Sequence, residues 1–346
     1  MKTALITGIT GQDGAYLAKF LLEKNYKVSG LYRRASSPNF WRLLSLGVYD
    51  KIKLIPGDIT DMASIIKAIT ACEPDEIYNL AAQSFVETSF GQPLFTAQVD
   101  GVGVVALMEA IKSINPKIKL YHASTSELYG NSLEMHSKKK GYALNEKSLL
   151  WPASPYAASK LFSYHMIRIY REAYGLFSVN GILFNHESPL RGLEFVTRKI
   201  TNSLARIKLG LQDQIQLGNI DAYRDWGYAK EYVEAMWLML QLEKPEDYVI
   251  ATGEKHSVRE FLKHACNHLE LDMKEIIVID QRHKRPLDVN TLVGDTTKAH
   301  EKLGWKSKTK FKKLVEIMLD EDLRRWKSHI AGEIFPWDAI NDPNVY

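Results

Sequence analysis

Cysteine is almost missing from this chain. Cys72 and Cys266 are the only two in 346 residues. They lie far apart in apolar, helix-like surroundings, so no disulfide framework can form and a reducing cytoplasm fits. Charge of one sign is equally scarce. A dispersed net charge of +4 is too mild for a nucleic-acid partner, though it suits an anionic small molecule. Long apolar runs are not evident: no stretch approaches the ~20 residues of a membrane span, and the richest, Ala235 to Leu240, falls in an amphipathic helical period. No leader is expected, because Met1 to Thr7 reads as a strand running into glycines. Metal ligands do not cluster. His264 and His268 stand one helical turn apart but lack an obvious acidic or histidine partner, so no metal is expected. The remainder is an ordinary globular composition, 45% hydrophobic and 25% charged, long enough for one large domain with a smaller lobe.

The first half alternates short apolar runs with helical periods. Strands are expected at 3–7, 27–32, 53–55, 76–79, 118–123 and 177–183. Helices are expected at 16–23, 62–71, 96–113 and 156–174. That alternation predicts an α/β fold, a Rossmann-type doubly wound parallel sheet with helices on both faces. Beyond it the chain becomes more helical and more basic, with helices expected at 196–209, 229–242, 257–268 and 311–326. This half predicts a smaller, mostly C-terminal substrate-binding lobe. The expected boundary puts residues 1–185 in the dinucleotide domain and 186–346 mainly in the lobe, with a crossing back to the sheet around 220–255. The tail Phe335-Pro336-Trp337-Asp338 is too aromatic for a free end and is expected to dock. Asp320-Glu321-Asp322 reads as a solvated helix face, and Leu303-Gly304-Trp305 as packing.

Thr7-Gly8-Ile9-Thr10-Gly11-Gln12-Asp13-Gly14 follows the first strand and opens a helix. Its glycines, at Gly-x-x-Gly-x-x-Gly spacing, let the backbone approach a pyrophosphate that the helix N-terminus attracts. The second strand then selects the dinucleotide. An NAD site usually places an acid there to bond the ribose hydroxyl. Here stand Arg33, Arg34 and Ser36, two guanidinium groups and a hydroxyl that suit a 2′-phosphate, which favours NADP. Asp58, followed by Ile59, ends the third strand and can bond the adenine amine. Leu80, Ala81, Ala82, Gln83 and Ser84 follow the fourth strand, where small residues permit cofactor approach.

Tyr156 and Lys160 lie four apart at a helix start, on one face and one turn apart. A cationic lysine lowers the phenol pKa, so the tyrosine can exchange protons near neutrality. Glu127 is the residue simple redox chemistry does not need. It comes two positions after Thr125, on the same side of what reads as an extended segment. A carboxylate there suits proton abstraction at a second carbon, hence elimination.

Together these segments resemble the extended short-chain dehydrogenase/reductases and, within them, the GDP-mannose 4,6-dehydratase family. Further matching stretches are Ala123–Gly130, Asn180–Pro189, Phe195–Lys199, Leu217–Asn219, Arg224–Gly227, Tyr248–Gly253 and Leu303–Trp305, which span nearly the whole chain. The resemblance implies a redox-neutral cycle on a GDP-sugar. Tyr156 removes the 4-hydroxyl proton, Thr125 bonds that hydroxyl, and Glu127 takes the C5 proton and helps water leave from C6. The NADP is regenerated at each turnover and stays tightly bound. By the same resemblance Ser84, Asn185, Lys199, Gly218, Arg224, Arg285 and Asp288 hold substrate, while His186 and Arg191 contact cofactor. Association into homodimers or homotetramers is implied, with the segment around Arg33–Arg42 near a neighbour's cofactor.

The chain departs from the family in three places. Extra residues fall within Asn131 to Leu150, including Lys138-Lys139-Lys140. Ala153 replaces an arginine, and Phe95 replaces a tyrosine, costing one cofactor hydrogen bond. A lysine run in a loop is by default a solvated surface, but this loop leads into Tyr156, where lids tend to lie. It is expected to alter the space around the sugar's C6 end, which makes a GDP-manno-heptose the alternative substrate. Two other readings compete: a nucleotide-sugar epimerase or reductase, which needs no acid at Glu127, and a non-catalytic NADP-binding regulator.

Overall fold

The computed structural model describes residues 1–37, 39–132, 143–280 and 287–338. Its central sheet opens with β1 (Thr3–Thr7), β2 (Lys27–Tyr32), β3 (Lys53–Pro56), β4 (Glu76–Asn79), β5 (Lys119–Thr125) and β6 (Ser178–Leu183). Four short strands then leave it: β7 (Asn185–Glu187), β8 (Ile215–Leu217), β9 (Tyr223–Arg224) and β10 (Trp226–Tyr228). The chain returns through β11 (Tyr248–Ile250), giving seven strands in the order β11-β6-β5-β4-β1-β2-β3. Every pairing in this sheet is parallel.

The strands alternate between two cores. Ala4, Ile6, Tyr78 and Tyr121 face one hydrophobic cluster with helices Gln12–Glu23 and Ala229–Gln241. Leu5, Ile77 and Leu120 face the other, with helices Met62–Cys72 and Gly103–Ile114. Burial on both faces is what a parallel sheet requires. The strand order reverses between β1 and β4, which opens a crevice at their carboxyl ends.

One helix corrects the sequence reading twice. The expected 96–113 segment begins at Pro93 and passes through a π-turn at Gln98–Val102 before continuing as Gly103–Ile114. The rod Pro93–Ile114 is long and apolar enough, by length and composition, to cross a membrane, a run that charge at Asp100 and Glu109 disguised. Its apolar face is spent on the sheet, where Val104, Leu107, Met108 and Ile111 are buried.

Helices Val196–Lys208, Val258–Leu269 and Phe311–Ile330 enclose a separate core around Ile200, Leu204, Phe261, Leu262, Leu314 and Met318. β12 (His256–Ser257) pairs with β9, and β13 (Ile277–Ile279) pairs with β8. Asp322 does not belong to a solvated face. It is fully buried, with both carboxylate oxygens 2.8 Å from Nε of the equally buried Arg198. Asp320 stays exposed and takes His268 at 2.7 Å, while His264 lies 3.4 Å from Glu316. The two histidines therefore do have acidic partners, in interhelical side-chain contacts. No group of potential metal ligands occurs among the described residues. The tail docks as expected: Trp337 stacks against Phe335 and meets Trp326 edge-on, and Asp338 reaches Arg198 at 3.4 Å. Trp305 is packing, its indole donating to the Glu231 carbonyl at 3.0 Å.

Candidate active site

The carboxyl ends of β1, β4, β5 and β6 open into one cavity of about 360 Å³. Gly8, at φ +68°, ends β1, and a side chain there would meet the Leu80 and Ala81 backbone at 2.8 Å. A Cβ on Gly14 would lie 2.5 Å from the Gly8 carbonyl. Both positions need glycine, one for its backbone angle and both for contact. Gly11 then caps the helix Gln12–Glu23, leaving amide donors at the cavity wall.

The turn is tied to the segment after β6. Gln12 Nε2 donates to the His186 carbonyl and Gln12 Oε1 accepts from Ser188. His186 faces the Phe184 carbonyl with Nδ1 at 2.7 Å and the Asp13 carboxylate with Nε2 at 2.8 Å. Both partners are acceptors, so both ring nitrogens carry protons and the ring is cationic. Burial alone would lower the His186 pKa, but the Asp13 charge overrides it and the net direction is upward. Burial likewise opposes the Asp13 charge, and His186 with Arg191 brings its pKa below the usual value.

The rest of the expected cofactor set divides. Gly8, Gly11, Gln12, Asp13, Gly14, Leu80, Ala82, Ser84, His186 and Arg191 line the cavity. Thr10, Ala81 and Gln83 lie behind its wall. Thr10 gives its carbonyl to Arg42, Ala81 donates its amide to Thr7, and Gln83 donates its amide to Asp100. Arg33, Arg34 and Ser36 are exposed beyond the end of β2, Arg33 above the Phe95 ring. Asp58 turns its carboxylate onto Thr60, and Ile59 is buried.

Tyr156 and Lys160 stand on the first turns of helix Pro155–Tyr174. Ser154 starts that helix by accepting the Ala157 amide, Pro155 fixes its first turn, and Gly175 ends it at φ +67°. Both side chains are buried against the end of β5, and Lys160 donates to the Ala123 carbonyl at 3.0 Å. Burial pushes the Tyr156 phenol upward, the Asp100 carboxylate adds to that, and the Thr125 hydroxyl opposes it. The expectation was that the cationic lysine lowers this phenol's pKa; here burial dominates and the net direction is upward. Thr125 and Glu127 are not on one face of an extended strand either. β5 stops at Thr125, and Ser126–Tyr129 is a 3₁₀ turn in which Thr125 Oγ1 accepts the Glu127 amide at 3.2 Å. The turn nevertheless brings Thr125, Glu127, Tyr156 and Lys160 to one cavity.

Behind them runs a buried chain of hydrogen bonds with one direction. The Thr7 hydroxyl accepts the Leu80 and Ala81 amides, so its proton goes to Asn79 Oδ1 at 2.6 Å. Asn79 Nδ2 must then donate to His122 Nδ1, and His122 Nε2 to Ser163 Oγ. The Ser163 proton ends on the Lys160 backbone carbonyl at 3.0 Å. Burial and the Lys160 charge hold the His122 pKa well below normal, consistent with the neutral ring this pattern demands.

Asn185, Lys199, Gly218, Arg224 and Asp288 also line the cavity. Burial lowers the Lys199 pKa. Asp288 lies 3.7 Å from Arg224 and accepts from Asn219 at 3.1 Å, while its backbone carbonyl accepts from Asn131. Arg285 and Lys138-Lys139-Lys140 lie outside the described residues. Sequence reasoning missed Glu87, Glu187 and Glu194, which also line the cavity. Glu187 is buried, 3.1 Å from Arg191 and 2.6 Å from Thr197. Its place in the matching stretch Asn180–Pro189 was the available signal. Asp100, buried behind the cavity, left no signal in its local sequence.

Comparison with known proteins identifies the family. The family described as GDP-mannose 4,6 dehydratase matches residues 5–318. GDP-mannose 4,6 dehydratase 1 of Arabidopsis thaliana is 51% identical, covering 99% of this chain and 96% of that protein. The GDP-mannose 4,6 dehydratase of Homo sapiens is 48% identical, covering 94% and 92%. Among solved structures, the Thermus thermophilus UDP-glucose 4-epimerase complex with NAD superposes with a TM-score of 0.80 at 25% identity, covering 92% of this chain and 98% of that one. The chain belongs to the GDP-mannose 4,6-dehydratase family.

Proposed function

We propose that this protein is an NADP-dependent GDP-mannose 4,6-dehydratase, a hydro-lyase that converts GDP-D-mannose to GDP-4-keto-6-deoxy-D-mannose. The observation that carries the reading is Glu127 in the same cavity as Thr125, Tyr156 and Lys160. Tyr156 takes the proton of the sugar 4-hydroxyl, with Thr125 bonding that oxygen. The resulting ketone acidifies the C5 proton, which Glu127 removes and then gives to the departing C6 hydroxyl, so that water leaves. When bound, NADP would supply a reversible hydride acceptor, so that the hydride leaving C4 returns at C6 while a proton returns to C5, which makes the cycle redox-neutral. The glycine turn fits such a group: its backbone is bare where a Cβ would collide, and the helix amides behind Gly11 face the cavity. Arg33, Arg34 and Ser36 support NADP over NAD through their charge and their place at the end of β2. Asp58 and Ile59 serve the adenine end, and Leu80 to Ser84 the nicotinamide side.

The lobe formed mainly by residues 186–346 takes the GDP moiety. Lys199, Arg224 and Arg285 neutralise the diphosphate, and Asn185, Gly218, Asp288 and Ser84 orient the sugar nucleotide. Two free thiols support a reducing cytoplasmic setting. We also read the chain as a homo-oligomer. Leu94, Val102, Phe162 and Ile169 are exposed apolar residues on two packed helices, and Gly101 brings the first helix against the Phe162 ring. A second copy is the occupant this face fits.

Product analysis tests the function. The protein, incubated with GDP-mannose and no added cofactor, should yield a 4-keto-6-deoxy sugar nucleotide, read by alkali-developed absorbance and mass. GDP-manno-heptose runs in parallel. Absence of dehydration with both substrates, before and after NADP supplementation, would overturn the reading.

A further inference from the structure

Three successive carbonyls in the loop that carries Arg191 are held by buried arginines. Pro189 accepts from Arg198 Nη1 at 2.8 Å and from Arg325 Nη1 at 2.7 Å. Leu190 accepts from Arg42 Nε at 2.7 Å, and Arg191 from Arg198 Nη1 at 2.9 Å. Arg42 also reaches the Thr10 carbonyl at 3.2 Å, so the same cluster ties the glycine turn to the loop. All three arginines are buried, and buried charges need counter-charges. Asp322 and Glu321 supply two of them from helix Phe311–Ile330. A third comes from the segment past that helix, where Asp338 lies 3.4 Å from Arg198 Nη2. Aromatic packing sets its position. Trp337 is buried, stacked on Phe335 with ring centroids 5.4 Å apart and edge-on to Trp326 at 4.7 Å. Asp338 thereby lines a second cavity, of about 320 Å³, together with Gly11, Gln12, Arg42 and Arg191. Gly11, Gln12 and Arg191 line the catalytic cavity as well, and Asp338 does not. It meets the cofactor residues without reaching the reacting atoms.

We propose that Asp338 is a positioning residue for the cofactor, and that Phe335–Asp338 is a strap whose docking steadies the loop Ser188–Arg191 and slows release of the dinucleotide. The inference rests on the reading of Arg191 as a cofactor contact. The influence runs from the Asp338 carboxylate through the Arg198 guanidinium to the Pro189 and Arg191 carbonyls. Arg198 has all three nitrogens engaged: Nε on Asp322, Nη1 on the two carbonyls and Nη2 on Asp338. A guanidinium is a rigid planar fork, so its donors turn together. Without the bond at Nη2 the fork is less constrained, and the two carbonyl bonds at Nη1 loosen with it. A redox-neutral cycle gains from such a strap. The dinucleotide ends each turnover in the state in which it began, so slow release costs no rate.

The test compares three variants with the wild-type protein. Asp338→Asn keeps the shape and removes the charge, Asp338→Glu keeps the charge, and Trp337→Ala undocks the strap. Each protein is loaded with NADPH and mixed with excess NADP⁺, and the decay of bound NADPH fluorescence gives the release rate. Release should quicken on the order of tenfold in Asp338→Asn and Trp337→Ala, and Asp338→Glu should stay nearer to wild type than Asp338→Asn does. Hydrogen exchange on the cofactor-free protein gives a second reading. In Asp338→Asn the amides of Ser188–Arg191 should exchange faster while β5 keeps its protection. A merely structural role would speed both. An unchanged release rate in Asp338→Asn, or exchange that rises across Ser188–Arg191 and β5 together, overturns the proposal. Asp338 is only half-buried, so this arm stays readable if Trp337→Ala does not fold. Wild-type protein that binds NADPH without dehydrating GDP-mannose would sink the functional reading and leave these measurements intact.

Discussion

Glu127 meets its surroundings through a backbone bond, its amide held by the Thr125 hydroxyl. That bond fixes the turn and leaves the carboxylate to the cavity, so the side chain can be neutralised without disturbing the fold. Glu127→Gln should keep binding and 4-oxidation, seen as absorbance of reduced cofactor on a trapped 4-keto sugar, yet lose dehydration by roughly 10²–10⁴-fold. A variant that dehydrates normally would refute the assignment. The residues that sequence exposes here are those whose roles follow local spacing. The glycines and the Tyr156–Lys160 pair depend on a turn and a single helical period. The burial of Asp100 depends on a π-turn, and nothing in Gln98-Val99-Asp100-Gly101 announces that. The place of Glu127 at the cavity was legible while its conformation was not, because two residues after a strand end do not reveal whether the strand continues.

Among the elements, the strands were the easiest to read. A sheet buried on both faces favours continuous apolar runs, which β1 supplies at Ala4-Leu5-Ile6, whereas β4 and β6 bury Glu76, Asn79, Ser178 and Asn180 among their apolar residues. Helix faces were harder. Asp320-Glu321-Asp322 has the composition of a solvated stripe, yet Phe311–Ile330 rotates its third acid onto Arg198 of Val196–Lys208. Thr201 also donates to Asp322, and Arg198 directs Nη1 to the Pro189 and Arg191 carbonyls and Nη2 to Asp338. Asp322→Asn would leave that guanidinium buried without its main counter-charge. A loss of about 3–5 kcal/mol is expected, measured as a lowered denaturant midpoint. The double change Arg198→Met with Asp322→Leu should recover much of it. Because Arg198 holds the loop that carries Arg191, the single variant should also release cofactor more readily.

At the scale of the whole molecule, the apolar face formed by Leu94, Val102, Phe162 and Ile169 leads to a prediction about assembly. Replacing both Val102 and Phe162 with glutamate should convert the oligomer to monomers in sedimentation velocity, while far-UV circular dichroism stays unchanged. An oligomer of unchanged size would place the interface elsewhere. Six of the seven parallel strands were legible from alternation alone, and a crossing back to the sheet was expected around 220–255, but the edge position of β11 was not legible. Only the pairing of Tyr248–Ile250 with β6 reveals it, through contacts more than sixty residues apart in sequence. The buried chain from Thr7 through Asn79, His122 and Ser163 has a last consequence. It ends on a backbone carbonyl, not on the Lys160 amine, and every proton along it is already committed to one acceptor. It therefore braces the catalytic helix without conducting protons. The interior offers no back door along this line, so proton exchange at the site runs through the cavity itself.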